Sequence, residues 1–505
     1  MKKRIIIKLV VSLFLMGNLY SCLDDFDELR ENPNNPTSVP ASLIFTELIP
    51  GVTTSFRDDY ERMQYHFWIA TDNSFSVNLR SGFSGSFNGY ADIRNVNKMM
   101  EEAEKTGSDE YIILGKFLRA MSYLEMTRRM GDIPLSESMQ GVDIPQPKYD
   151  TQKSVYIQCL DWLDEANQEL GNFIAANPTT TVVGDIYFNG NLKQWQKVIN
   201  AYTLRILVSL SKRASDTGVD VPGRFSRIVN NPSQYPLMSS VADNAELKYR
   251  NEEGFKQTYN PDIAVYREAV VYASTYIDLL KAKEDPRLMV VADPTKNALD
   301  AGSDEATVRA DFDSYEGADI TLSGAENSAN KLNGEYSFPN ENKYWNYVGQ
   351  PGVWISYWEQ EFSIAEAAHR GWISANAAEH YNNAVTGSME WYGVDGAAIT
   401  DYITNKQPYI TGNAGLQRLL EQKYIAFAEN SDQEAFFNYR RTGVPTFMFG
   451  VENGIDPNLG EKYPVRWSYP GIEFTGNYEN YAAALISQFG SENNDIEQVI
   501  WLLKD

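Results

Sequence analysis

The chain has 505 residues, 43% of them hydrophobic and 22% charged, a balance that suits a globular protein with a large core. Its net charge of -24 argues against a nucleic-acid surface, because such surfaces need a basic stripe to displace counterions, and no Lys/Arg cluster supplies one. The 31 tyrosines, 23 phenylalanines and 10 tryptophans point to rings presented on a surface as well as packed in a core.

The first element is a basic start, Lys2, Lys3 and Arg4, followed by an apolar stretch from Leu9 to Met16 too short to span a bilayer. Leu19-Tyr20-Ser21-Cys22 stands where a signal peptidase cuts and resembles a bacterial lipobox, with a bulky Tyr20 where a small residue is commoner. Residues 1–21 are thus expected to be a lipoprotein signal peptide, and Cys22 the site of lipidation. Residues 22–40, acidic and then Asn/Pro-rich, read as an acylated tether. Cleavage removes four basic residues and no acid, leaving 40 bases against 68 acids, or -28. With Cys22 acylated, Cys159 has no partner for a disulfide and is expected in the core of an amphipathic helix. No other apolar stretch has membrane length, so the expectation is a chain anchored to a membrane without crossing it.

Helical periodicity begins near Ser42. Segments 41–56, 90–106 and 109–130 carry apolar residues three and four apart, and Gly131-Asp132-Ile133-Pro134 stops the third. Helices follow at 152–171 and 192–214. Between about 215 and 355 the pattern weakens into Gly-, Asn-, Asp- and Pro-rich sequence, with one possible helix at 262–283. A long irregular stretch inside a globular protein usually carries function. Segments 361–373, 376–392, 413–430 and 432–440 supply further helices, and 441–505 alternates turns with short apolar pieces before a small terminal helix. Within FSIAEAAHRGWISANAAEHYNNAV, Ala365, Ala377, Tyr381 and Ala384 have the small–small–aromatic–small spacing of a tetratricopeptide unit. About four such units are expected, near 90–130, 152–214, 361–392 and 413–440. The fold class is therefore mostly α, a right-handed scaffold of tetratricopeptide-like helix pairs with a large loop-rich insertion, in one domain over 41–505.

Catalytic chemistry finds little footing. His66, His369 and His380 form no metal-binding pattern, and no nucleotide-binding glycine loop occurs. Asp216-Thr217-Gly218 has an aspartic-protease tripeptide without the apolar strand that would seat it. Asp311-Phe312-Asp313 opens like a calcium loop, but its glycine, Gly317, comes one place late and no closing Glu follows. No enzyme, metal or cofactor is expected. Rings in polar loops are the better lead. SFSVNLRSGFSGSFNGY (74–90) offers Phe83, Phe87 and Arg80, and YWNYVGQPGVWISYW (344–358) offers Tyr344, Trp345, Asn346, Tyr347 and Trp354. Rings on loops can stack on sugar faces while Asn and Arg bond hydroxyls. The alternative is that these rings cap helices or pack the irregular region.

Several stretches together resemble one family, the SusD/RagB-like nutrient-binding lipoproteins of Bacteroidetes. They are GKFLRAMSYLEMTRRMGDIPLSES (115–138), LKQWQKVINAYTLRI (192–206), FSIAEAAHRGW (362–372), EQKYIAFAENSDQEAFFNYRRTGVP (421–445) and RWSYPGIEFTGN (466–477). The acids after Cys22 likewise resemble the signal that sends some lipoproteins of that phylum to the outer face of the outer membrane. The resemblance implies four tetratricopeptide units, an oligosaccharide or alternatively a peptide ligand, and a SusC-like TonB-dependent transporter as partner. It also implies that shared motifs build the scaffold, so that Arg440 and Arg441 are expected to be structural ion-pairing residues. Ligand contacts vary within such a family, so the candidate site rests on the loop rings alone.

Overall fold

A computed structural model describes residues 38–49, 61–69, 83–302, 304–448 and 463–505. Helix α1 (Ala41–Leu48) lays Phe45 into the core, where its ring meets Tyr111 at 5.7 Å and Trp195 at 5.5 Å. Helix α2 (Gly89–Thr106) buries Ile93, Val96, Met99 and Ala103 on one face and stops at Gly107, whose φ of 68° favours glycine. Helix α3 (Asp109–Met130) sets acids in its first turn and arginines in its last, as the helix dipole prefers. It ends where the sequence predicts, at Gly131. Asp132 then accepts a hydrogen bond from the Gln152 amide at 2.7 Å, which starts α4 (Gln152–Ala176) under its Thr151 cap. Helix α5 (Leu192–Ser209), capped by Asn191, packs back on α4, and Cys159 of α4 is buried as expected.

The second set of pairs comprises α6 (Tyr357–His369) with α7 (Ala377–Tyr392) and α8 (Gly412–Ala426) with α9 (Glu434–Thr442). Of the four residues of the tetratricopeptide spacing, Ala365, Tyr381 and Ala384 are buried and Ala377 is half-buried, and the Tyr381 hydroxyl donates to the Gln407 carbonyl at 2.9 Å. The molecule is mostly α, with tetratricopeptide-like helix pairs as its scaffold. The buried residues form a large cluster over the first pairs and a smaller one between α6, α7 and α8, so each pair depends on its neighbours.

Some boundaries differ from the periodicity, each for a local reason. Helix α4 runs past Gly171 because that glycine makes room for Gln196; a Cβ there would lie 2.8 Å from the Gln196 amide nitrogen. The segment read as a single helix at 262–283 splits into a helix Ala264–Ala269, a strand and a helix Ser274–Ala282. Val270-Val271-Tyr272 favours extended backbone, and a partner strand lies beside it. Helix α1 ends at Leu48, and residues 50–60 lie outside the described set.

Buried ion pairs zip the scaffold. Arg205 of α5 bonds Glu359 of α6 at 2.6 and 2.5 Å, Arg128 of α3 bonds Glu434 of α9 at 2.8 Å, and Arg441 bonds Glu366 at 2.5 and 3.0 Å. Burial pushes the Glu366 carboxyl up, but Arg441, Arg370 and Lys423 outweigh it and hold it well below the usual carboxylate range. Arg441 thus has the structural pairing expected of it. Arg440 departs from that expectation. It lies over the Phe437 ring at 4.6 Å and donates to the carbonyls of Val465 and Arg128.

The segment 463–505 closes over the first helix pairs. Buried Arg466 donates to the carbonyl of Met130 at 3.2 Å, the Tyr469 hydroxyl to that of Asp132 at 2.6 Å, and the Leu502 amide to the Gln152 side chain at 2.9 Å. The irregular region is tied to the scaffold by short antiparallel ladders. Strand β1 (His66–Trp68) pairs with β3 (Val270–Tyr272), and β2 (Ala245–Leu247) pairs with β4 (Gly352–Ile355). Strand β4 runs directly into α6 through Ser356, which caps that helix.

Candidate ligand-binding surface

Leu247 faces Gly352 across the second ladder, so the loop after β2 and the loop before β4 leave from the same end. The first loop carries Arg250, Phe255, Lys256, Tyr259 and Asp262; the second carries Trp345, Asn346 and Tyr347. Gln257, buried between them, fastens one to the other. Its side-chain amide donates towards the carbonyls of Tyr259, Tyr344 and Asn346 at 2.5, 2.5 and 2.6 Å, and its backbone amide donates to the Tyr347 carbonyl at 3.1 Å. Gly349, with φ 52°, fits against it because a Cβ would fall 2.4 Å from the Gln257 side-chain carbon. Asn346 accepts from the amides of Val348 at 2.9 Å and Gly349 at 2.6 Å, an Asx turn that fixes the loop tip.

The rings on these loops stand in defined surroundings. Trp345 is partly exposed; Tyr259 meets it edge-on at 5.0 Å and the Arg267 guanidinium lies over it at 5.9 Å. Tyr347, also partly exposed, has the Lys256 ammonium 4.4 Å from its centre and donates its hydroxyl to Asp262 at 3.0 Å. Phe255 is 53% exposed and Val348 48%, so apolar surface continues beside the rings. Lys256 bonds Asp262 at 2.8 Å, and this contact, with that from Tyr347, holds the Asp262 carboxyl below its ordinary range.

Beneath the surface sits Glu429, fully buried at positive φ (66°) just after α8. The hydroxyls of Tyr272, at 2.6 Å, and Tyr344 donate to it. Burial pushes its carboxyl up to about 7, and the two phenol hydrogen bonds and Lys343 only partly offset this. Tyr344 therefore roots the ring loop in the core.

Three expected ligand rings turn out to be core residues. Tyr344 is buried with its hydroxyl committed to Glu429. Trp354 lies in β4, whose four residues are all buried, and it packs against Phe117, Tyr187 and Tyr202. Phe83 is buried against Phe436 and Trp467. Phe87 is partly exposed, but its neighbours are Tyr90, Tyr149 and Tyr469, a different group from those around Trp345. Arg80 and Cys22 lie outside the described residues. Trp345, Asn346 and Tyr347 come together. Sequence reasoning missed Phe255, Lys256, Asp262 and Arg267, although NEEGFKQTYNPD (251–262) has the same mix of rings and amides in turn sequence.

His66 is buried with its ring 4.7 Å from that of Tyr272, and the other residues weighed for catalysis have ordinary polar partners. His369 bonds the Tyr409 hydroxyl at 2.8 Å and the Gly412 carbonyl at 3.0 Å, and His380 bonds Glu361 at 2.8 Å. Asp216 pairs with Lys153 at 2.7 Å, and Asp311 accepts from the Asp313 amide at 3.0 Å at the start of a short helical turn. Among the described residues no group of three or more His, Cys, Asp or Glu is placed to hold a metal.

Comparison with known proteins agrees with this architecture. A SusD-like family model, described as starch-binding and associating with the outer membrane, matches residues 33–470. A solved outer membrane protein from Bacteroides vulgatus, linked to nutrient binding, is 30% identical, with 92% of this chain and 100% of that one covered and a TM-score of 0.81. A SusD homologue from Bacteroides fragilis is 28% identical over 92% of this chain and 100% of its own, with a TM-score of 0.83. A chitin-binding SusD homologue from Flavobacterium johnsoniae shares the fold at 18% identity, covering 92% and 95% of the two chains with a TM-score of 0.68. No curated protein matches the chain.

Proposed function

Because the chain belongs to the SusD-like family of starch-binding, outer-membrane-associated proteins, we propose that it captures oligosaccharides at the cell surface and delivers them to a SusC-like TonB-dependent transporter. The observation that most supports glycan capture is the pair of partly exposed rings, Trp345 and Tyr347, with Asn346 between them and carboxylates at their edge. A flat ring offers an apolar face to a pyranose, while amides and carboxylates bond its hydroxyls. The chitin-binding description of similar structures fits such a ligand. Lipid on Cys22 would hold the protein to the membrane, with 22–40 as a tether. Among the described residues no helix is long and apolar enough to cross a membrane. A tethered receptor works at modest affinity, roughly 1 μM to 1 mM, because anchoring beside a channel raises local concentration.

The reading is one of binding without turnover. A glycosidase keeps one carboxyl protonated near neutral pH to serve as acid. On the ring surface the Asp262 carboxyl is held down by Lys256 instead, and Glu341 is engaged by Arg267 at 2.7 Å. Calorimetric titration of the wild type and of Trp345→Ala and Tyr347→Ala with oligosaccharides tests the site. Each substitution should weaken binding by about tenfold while leaving circular dichroism unchanged. Unchanged isotherms in both variants would remove these rings from the site. Recovery of a large outer-membrane barrel with the affinity-tagged protein tests the transporter partnership.

A further inference from the structure

The ring surface repeats one arrangement three times. Arg250 lies 4.3 Å over Phe255 and 3.5 Å from Glu252. Lys256 lies 4.4 Å over Tyr347 and 2.8 Å from Asp262. Arg267 lies 5.9 Å over Trp345 and 2.7 Å from Glu341. Each ring is backed by a cation, and each cation is matched by a carboxylate. The remaining base on the second loop, Lys343, turns inward and donates to the Tyr392 carbonyl at 2.9 Å.

From this we infer that the surface selects uncharged oligosaccharides and discriminates against uronic-acid or sulfated ones. The inference rests on the glycan reading above and narrows it. An anionic sugar gains from a binding site when it meets a cation whose charge is not already answered. Here it would have to displace Glu252, Asp262 or Glu341 from a cation that also stacks on a ring, leaving that carboxylate beside the new anion. The chain's net charge of -24 adds long-range repulsion. A neutral sugar meets no such cost. The paired carboxylates keep lone pairs for its hydroxyls, and the partly exposed rings keep their apolar surface for its C–H face.

The test is a calorimetric comparison on the purified full-length chain. One panel holds neutral hexasaccharides (malto-, cello-, manno-, xylo- and chito-oligomers), the other oligogalacturonate and sulfated oligosaccharides of equal length. At least one neutral ligand should bind, and every anionic one should bind about tenfold more weakly or worse. Raising salt from about 50 to 500 mM should leave the neutral isotherm unchanged. Asp262→Asn and Glu341→Gln, which release Lys256 and Arg267, should each improve anionic binding by about threefold to fivefold. An anionic ligand that binds as tightly as the best neutral one, and is lost in Trp345→Ala, overturns the inference and leaves the glycan reading intact. Absence of binding by both panels overturns that reading, and the inference with it.

Discussion

Replacing Gln257 by Met should unfasten the ring surface without unfolding the protein. Methionine has nearly the length and volume of glutamine, so the space under Gly349 stays filled, but the amide donors go. Those donors face three carbonyls at 2.5 to 2.6 Å. An amide group carries two hydrogens, so two full hydrogen bonds are shared among three oxygens. Leaving two buried acceptors unmet costs about 1–3 kcal/mol each, or about 2–6 kcal/mol together. Tyr344 stays rooted in the core through Glu429, so the loop tip beyond it can meet this cost by opening locally to water. Even the lower figure corresponds to about a thirtyfold rise in the open population. Hydrogen exchange should therefore quicken by about that factor at Gln257 and across 345–349, with glycan affinity falling only in proportion to the fraction of molecules left closed and the melting temperature of the scaffold nearly unchanged. If exchange at those amides and the affinity both match wild type, Gln257 does not hold the loops together and the reasoning fails.

Other consequences are equally accessible. Glu429 should give stability an inverted pH dependence. Its carboxyl is raised from 4.5 to about 7 in the fold, so its contribution is full below pH about 4.5 and is lost as pH rises towards 7. The loss is roughly 3 kcal/mol, and Glu429→Gln should flatten the slope in thermal melts compared at pH 5 and 7.5. Arg441→Met takes the bidentate partner from buried Glu366 but leaves Arg370 at 2.8 Å, and should cost about 1–3 kcal/mol in urea unfolding. Adding Glu366→Gln should recover part of that, whereas a single-variant cost below about 1 kcal/mol would deny the pair its structural role. In a Cys22→Ser chain, Cys159 should resist thiol reagents until denaturant is added, because burial pushes its thiol well above the ordinary range; labelling read by mass spectrometry checks this.

The scaffold was legible because its information is local. Apolar spacing marks the starts of α2 to α5 in one dimension and Gly131 the end of α3, although α4 runs to Ala176 and α5 ends at Ser209. Ala365, Tyr381 and Ala384 likewise carry their contact in their spacing. The ring surface was half legible, because whether a ring is exposed depends on distant partners. Nothing around Tyr344 in sequence announces Glu429, 85 residues later. Trp354 looked like a loop ring because Gly352 precedes it, whereas β4 is buried on both faces between ladder and scaffold. Lys256 and Arg267 were invisible as ring partners because they meet their rings from 91 and 78 positions away.

The stitching of 463–505 onto the first helix pairs sets an order of events in folding. Met130, Asp132 and Gln152 find their partners in Arg466, Tyr469 and Leu502, more than 300 positions downstream. A chain that has not yet delivered those residues cannot complete the seam, however well α2 to α5 coil on their own. Closing the seam is therefore a long-range step that comes after the local coiling of the helices.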